Sequence, residues 1–216
     1  MEGTFLVIGA AGGIGQQVVE TALSQGWRVI AVLRTPAKLS LTHPLLTVVK
    51  GDVLQPATYE TYLTESTVVL SAIGITRGVF RDEATTLYSE GARQILGAMQ
   101  RRGARRAYFI SASAVEISPV LPAFVRWVAK HIVQKLLRQM YADLRIMEGL
   151  VKESGLDWTI VRPPRLTDKK LTGKYRYAVN SFLRNALSIS RADVAHFMVH
   201  HASDRGTYQG VVELGY

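Results

Sequence analysis

The sequence predicts an α/β fold: a Rossmann-like, doubly wound parallel sheet covered by helices on both faces, forming a single domain over residues 1–216. Three observations carry this reading. Short apolar, β-branched runs alternate with stretches of helical periodicity along nearly the whole chain, the pattern that successive βαβ units produce. The runs are apolar almost without interruption, as strands buried on both faces must be. The first run ends in a glycine-rich turn, Gly9-Ala10-Ala11-Gly12-Gly13-Ile14-Gly15, which leads directly into a helical pattern.

The elements follow in order. Thr4 to Gly9 reads as the first strand, and its helix runs from Gly13 to Gln25, with Gly26 supplying the left-handed stop. Arg28 to Arg34 is the second strand and Leu45 to Gly51 the third. Thr67 to Ile73 is the fourth, ending at Gly74, and a helix from about Asp82 to Arg101 follows it. Arg106 to Ser111 is the fifth strand. Trp158 to Arg162 is the sixth, closed by Pro163-Pro164, and Val211 to Leu214 is a last short strand.

Residues 119–153, between the fifth and sixth strands, do not fit a simple crossover. Phe124, Trp127, Val128, Ile132, Leu136, Met140, Leu144, Met147 and Val151 recur near helical spacing. From Arg126 to Arg138 the charges are Arg126, Lys130, Lys135 and Arg138, with His131 and no acid. Two readings stand. The segment is a helix over the substrate cleft whose apolar face packs on the domain or on a second subunit, as its place between two strands favours. Alternatively, it is a basic amphipathic helix that touches an anionic membrane surface.

Composition bounds the function. A chain of 216 residues, 48% hydrophobic and 20% charged, is globular and suits one well-buried domain. With no cysteine, disulfides, thiolate catalysis and Cys-ligated metals are excluded. The start, Met1-Glu2-Gly3-Thr4, has no basic n-region, and no run approaches the roughly 18 apolar residues a membrane span requires. A cytoplasmic location is expected. The net charge of +9 comes from dispersed basic residues, with small concentrations at Arg101-Arg102, Arg105-Arg106 and Lys169-Lys170. No nucleic-acid motif accompanies them, so they read as a solvated surface suited to anionic cofactors and substrates. The histidines have no zinc-type spacing, and no metal is expected.

Strand, glycine-rich turn and helix N-terminus together form the arrangement that holds a dinucleotide pyrophosphate. Gly9 allows the sharp exit from the strand, Gly12 or Gly13 lets backbone N–H groups approach phosphate, and Gly15 lets the helix pack on the sheet. At the end of the second strand, where NAD-preferring sites place an acid on the ribose 2′-hydroxyl, this chain has Arg34, with Lys38 close behind. A guanidinium there pairs with a 2′-phosphate, which points to NADP(H). Asp52-Val53 falls where a carboxylate meets the adenine amino group, and Asp52 equally reads as a helix N-cap before Pro56. Ala72, Ile73 and Gly74 are small enough to let backbone pass beneath the ribose and nicotinamide. Ser111 and Ser113, after the fifth strand, face the expected reaction zone, and either one is a candidate hydrogen-bond donor to substrate.

With these residues in view, the chain resembles the atypical short-chain dehydrogenase/reductases of the biliverdin-IXβ reductase and NADPH-dependent flavin reductase type. The stretches that carry the resemblance run in the family's order through most of the sequence. They are Gly9 to Gly15, Gly51 to Gln55, Ser89 to Arg93, Glu153 to Leu156, Pro163-Pro164, Leu171 to Tyr175 and Ser190 to Ala195. The resemblance implies that Gly9, Ala10, Gly12, Gly13, Ile14 and Gly15 hold the pyrophosphate. It places Arg34 and Lys38 on the 2′-phosphate, Asp52 and Val53 on the adenine, Ser113 at the active-site serine and Pro164 beside the nicotinamide. Departures fall on the substrate side. No Tyr-x-x-x-Lys pair exists, the nearest being Tyr141 with Arg145. Arg165 stands where biliverdin-reducing relatives carry histidine, and Leu121 to Met140 is longer than in those relatives.

The expected activity is therefore NADPH-dependent hydride transfer to a conjugated small-molecule acceptor such as a flavin or quinone. Ser113 would position the acceptor, and Arg165 would pair with an anionic group on it. The alternative is a non-enzymatic, NmrA-like NADP(H) sensor using the basic segment as its partner surface.

Overall fold

The computed structural model of the chain describes residues 3–74 and 84–216. Met1, Glu2 and the expected helix start at Asp82 lie outside them. The order begins β1 (Thr4–Ile8), α1 (Gly13–Ser24), β2 (Arg28–Leu33), β3 (Leu46–Lys50), β4 (Thr67–Ser71), α2 (Leu87–Arg102) and β5 (Arg106–Ile110). It continues with α3 (Ala123–Val128), α4 (Gln134–Leu136), α5 (Arg138–Lys152), β6 (Asp157–Arg162), β7 (Arg165–Thr167), β8 (Arg176–Val179), β9 (Ser188–Ser190), α6 (Arg191–His200) and β10 (Gly210–Gly215).

An eight-stranded sheet has the order β3-β2-β1-β4-β5-β6-β10-β8. Its pairings are parallel except for β8, which runs antiparallel to β10. The chain starts at β1, winds outward to β3, then returns to place β4 against β1. That reversal opens a crevice at the carboxyl ends of β1 and β4, where ligands bind in open α/β sheets.

Side-chain alternation divides the core. Phe5 and Val7 of β1 join the cluster under α1 and α6, and Leu6 and Ile8 join the one under α2 and α5, as period-two strands buried on both faces require. In α1, Ile14, Val18, Val19, Ala22 and Leu23 form the buried stripe, and Gly26 at φ +80° ends the element as a left-handed stop.

The expected strands stand within a residue or two of their bounds. Sequence periodicity missed three short ones: β8 at the sheet edge, and the β7–β9 pair, which forms its own parallel two-stranded sheet. Helix α6 is buried along almost its whole length and capped by Ser190 Oγ, which accepts from the Asp193 N–H at 2.9 Å.

The single helix read over residues 119–153 is corrected. It is broken into α3, a wide π-helical turn over Ala129–Val133, α4 and α5. Only α5 carries a buried stripe, through Tyr141, Leu144, Met147 and Val151, so the packing reading holds for that half. None of the residues of α3, the wide turn or α4 is buried.

Candidate functional site

The carboxyl ends of β1 to β4 surround a cavity of about 300 Å3. Backbone bonds knit these ends together. The Gly9 N–H donates to Val32 O at 3.3 Å, the Ala72 N–H to Ile8 O at 2.9 Å and the Gly12 N–H to Gly9 O at 2.9 Å. Gly9 takes φ +82°, and a Cβ on it would lie 2.6 Å from Ala72 O. A Cβ on Gly15 would lie 2.2 Å from Gly9 O. The first turn of α1 therefore presses on the strand exit closely enough that only glycine fits at either position.

That first turn is open to an anion. Its leading N–H groups have no intrahelical acceptor, Gly12 at the N-cap offers no side-chain cap, and no acid lies in the turn. The helix dipole adds partial positive charge at the same place. Of the residues expected around the pyrophosphate, Gly9 and Gly12 line the cavity. Ala10, Gly13, Ile14 and Gly15 do not. The side chains of Ala10 and Ile14 are buried in the core, so only their backbone can serve a phosphate. Gly13 is exposed, with the Arg191 side chain beside it, its Cδ 2.6 Å from where a Cβ would stand.

The rim beyond β2 is basic. Arg34 and Lys38 both line the cavity and are exposed. Neither side chain has a hydrogen-bond or ion-pair partner among the described residues. A cation with no carboxylate to satisfy it is available for a phosphate. Across the cavity, Asp52, Val53, Ala72, Ile73 and Gly74 complete the lining. The N-cap reading of Asp52 is corrected: its Oδ1 accepts from the Leu54 N–H at 3.0 Å in a local turn. The 3-10 turn at Pro56–Thr58 begins after Gln55, with no side-chain cap.

Ser111 and Ser113 separate into two roles. Ser111 Oγ is buried and donates to Glu148 Oε1 at 2.7 Å. Glu148 is itself forked by Arg162, with Nε to Oε1 at 2.9 Å and Nη2 to Oε2 at 2.6 Å. Arg162 Nη1 reaches Glu116 at 2.8 Å. Burial pushes the Glu148 carboxyl up, but hydrogen bonds from Arg162 and Ser111 and the Arg162 charge outweigh it and hold the group below the usual carboxylate range. Burial likewise pulls the Arg162 guanidinium down, and its bonds to Glu148 and Glu116 more than reverse that. Sequence reasoning missed this network. A signal existed, because Glu148 falls on the same stripe as Tyr141, Leu144 and Val151, and an acid on a buried stripe requires a partner.

Ser113 is only partly buried, and its hydroxyl has no partner among the described residues. Its N–H donates to Pro163 O at 3.0 Å, which binds the turn after β5 to the Pro163-Pro164-Arg165 exit of β6. Pro164 is partly buried and Arg165 is exposed on β7. Ser113, Pro164 and Arg165 thus gather at the strand ends but outside the cavity. Tyr141, the nearest counterpart of a catalytic tyrosine, is buried in the core. Burial chiefly raises its phenol above the ordinary range, the Arg145 charge lowers it and Tyr88 raises it further. Arg145 donates to Val115 O at 3.1 Å. This pair is not arranged to give a proton to a carbonyl.

Comparison with known proteins agrees with this geometry. A family model described as NAD(P)H-binding matches residues 9–205. Averufin oxidase A of Aspergillus flavus is 23% identical over 228 residues, which cover 96% of this chain and 80% of that protein. A wide-type short-chain dehydrogenase/reductase of Veillonella parvula, solved in complex with NADP, superposes with a TM-score of 0.80 at 20% identity, covering 100% of this chain and 95% of that one. The anaerobillin reductase ChuY of Escherichia coli O157:H7 superposes with a TM-score of 0.75 at 22% identity, covering 98% and 96%. At such identities the two structural likenesses establish the fold. No helix among the described residues is long and apolar enough to cross a membrane.

Proposed function

The chain belongs to the NAD(P)H-binding family, and from that premise we propose that it is a reductase that uses NADPH to reduce a conjugated acceptor, a flavin or a quinone. The residues fit the dinucleotide. Glycines stand where a Cβ would meet backbone, the N-terminus of α1 carries no side-chain cap, and two cations with no partner among the described residues line the cavity. When bound, NADPH supplies a hydride at its nicotinamide ring. The chain's own work is to hold and to orient. The first turn of α1 takes the pyrophosphate, Arg34 and Lys38 take the 2′-phosphate, and Asp52 with Val53 takes the adenine. Pro164 borders the nicotinamide end.

The observation that carries the choice of acceptor is the contrast between Ser113 and Tyr141. The Ser113 hydroxyl has no hydrogen-bond partner among the described residues, and the tyrosine is held in the core. A carbonyl alkoxide needs a strong proton donor. An acceptor that spreads the incoming charge over a conjugated ring takes its proton from water and needs only proximity and alignment. Ser113 Oγ supplies one hydrogen bond for that alignment, and Arg165 pairs with a phosphate or carboxylate on the acceptor.

The test is NADPH oxidation by the purified protein with FMN and a simple quinone in turn, and with NADH as control. Turnover well above the NADH rate is expected. Tight NADPH binding with no turnover on either acceptor would overturn the reductase and leave a redox sensor.

A further inference from the structure

We propose that residues 119–137 form a docking surface for an anionic lipid bilayer. The inference stands independently of the acceptor proposed above.

The stretch ahead of α5 carries large apolar side chains that the fold leaves in water. Phe124 is 75% exposed, Trp127 54%, Ile132 51% and Leu136 50%. Together they occupy one continuous helical stretch, α3 through α4, in which no residue is buried. Phe124, Trp127 and His131 recur at one-turn spacing along one side, and the Trp127 and His131 rings meet at 5.3 Å. The stretch is nonetheless held in place. Gln134 Nε2 donates to Ala114 O at 2.9 Å, and Val133 and Leu137 pack against the core cluster under α5. Its apolar side is therefore presented by a fixed element.

Charge selects the occupant. Between Glu116 and Asp143 the sequence contains no acid, and Arg126, Lys130 and Lys135 have no ion-pair partner among the described residues. An amphipathic helix with aromatic and aliphatic residues on one side and unpaired Lys and Arg around them is the form that lies in the headgroup region of anionic membranes. A second copy of the chain is a poorer occupant. A two-fold contact would bring the same cations face to face with no acid in the patch to neutralise them.

The experiment mixes the full chain with vesicles of phosphatidylcholine alone, or of phosphatidylcholine with phosphatidylglycerol, and follows flotation and tryptophan emission. Trp27 and Trp158 are only 7% and 6% exposed, so a change in emission reports Trp127. A blue shift and co-flotation are expected with anionic vesicles alone, both suppressed by high salt. K130Q/K135Q should weaken binding about tenfold. F124S/I132S/L136S should abolish it while leaving the melting temperature and NADPH binding unchanged, since every substituted side chain is exposed. No shift and no flotation with anionic vesicles would overturn the proposal, and so would equal binding to neutral ones. Self-association in the absence of lipid, dissolved by F124S/I132S/L136S, would assign the surface to a second copy instead.

Discussion

Arg162 and Glu148 form a two-bond fork in which both side chains are nearly excluded from water, at 6% and 4% exposure. The pair joins the end of β6 to the last turns of α5, and Ser111 adds a third bond from the residue after β5. The crossover from β5 to β6 is thereby fixed beside the turn that carries Ser113.

Breaking this fork should be costly. Glu148→Gln breaks the buried pair and leaves the Arg162 guanidinium only a neutral amide and the exposed Glu116, at a cost of about 3–5 kcal/mol. Replacing both residues by Met removes both charges and is expected to cost far less. Urea unfolding of the two variants measures the difference, and equal losses would show that the charges do not matter.

The same fork makes stability depend on pH with a definite sign. The Glu148 carboxyl is held below its unfolded value, so the folded chain binds fewer protons there than the unfolded chain. Its contribution is fully present above the usual carboxylate range and drains as pH falls through the folded value. Asp193 has a depressed carboxyl for a similar reason. Burial raises it, but bonds from Tyr216, Gly173, Ser190 and Thr172 outweigh that. Urea midpoints measured from neutral to acid pH should fall, and the fall should be shallower in Glu148→Gln.

The glycines around the cofactor turn divide by what a methyl group would meet. Gly15→Ala drives a Cβ into Gly9 O at 2.2 Å, and Gly9→Ala combines a 2.6 Å approach to Ala72 O with a left-handed backbone. Each should cost about 1–3 kcal/mol and strongly weaken NADPH binding. Gly149→Ala is the control. It lies inside α5 with nothing within 4 Å, and should gain about 0.5–1 kcal/mol from helix propensity alone. Thermal melts and NADPH titrations of the three proteins check the order.

Much of this fold was legible because its strands are buried on both faces. Phe5 to Ile8 and Val68 to Leu70 are apolar at every position, and such runs bounded by glycine or a turn have few other destinations. The glycine-rich turn was legible from its own spacing, since Gly15 answers to Gly9 O close in sequence, although the Ala72 carbonyl that confines Gly9 is distant in the chain. What escaped depends on distant partners. Strand β8 offers Arg176 to Val179 to one edge of the sheet, so it lacks a continuous apolar run. The Arg162 fork joins residues whose partnership exists only after α5 has docked. Periodicity at Phe124 to Leu136 showed that an apolar face exists but carried no information on whether the fold covers it.

The two serines after β5 should separate structure from chemistry. Ser111→Ala removes a buried bond to a charged carboxylate and should destabilise the protein by about 1.5–3 kcal/mol. Ser113→Ala removes a hydroxyl that has no partner among the described residues, so stability and NADPH affinity should hold while turnover falls about tenfold, the equivalent of one hydrogen bond to the reacting acceptor. Steady-state rates with the acceptor that proves active, set beside denaturation midpoints, distinguish the two. Unchanged turnover in Ser113→Ala would remove Ser113 from the reaction.

The proposed preference for NADPH rests on Arg34. Its guanidinium lines the cavity one residue beyond β2, with Lys38 on the same rim, at the place where NAD-binding relatives of this architecture present an acid to the ribose hydroxyl. Arg34→Glu exchanges an attraction for a repulsion towards a 2′-phosphate, yet offers the 2′-hydroxyl of NADH an acceptor it lacked. A charge-assisted bond is worth about 1.5–3 kcal/mol, so NADPH affinity should fall at least about tenfold while NADH affinity holds or improves. The side chain is exposed and carries none of the core, so melting should not move. Parallel fluorescence titrations with the two dinucleotides decide it. Equal losses for both would mean that Arg34 shapes the rim without reading the phosphate, and would move the assignment to Lys38.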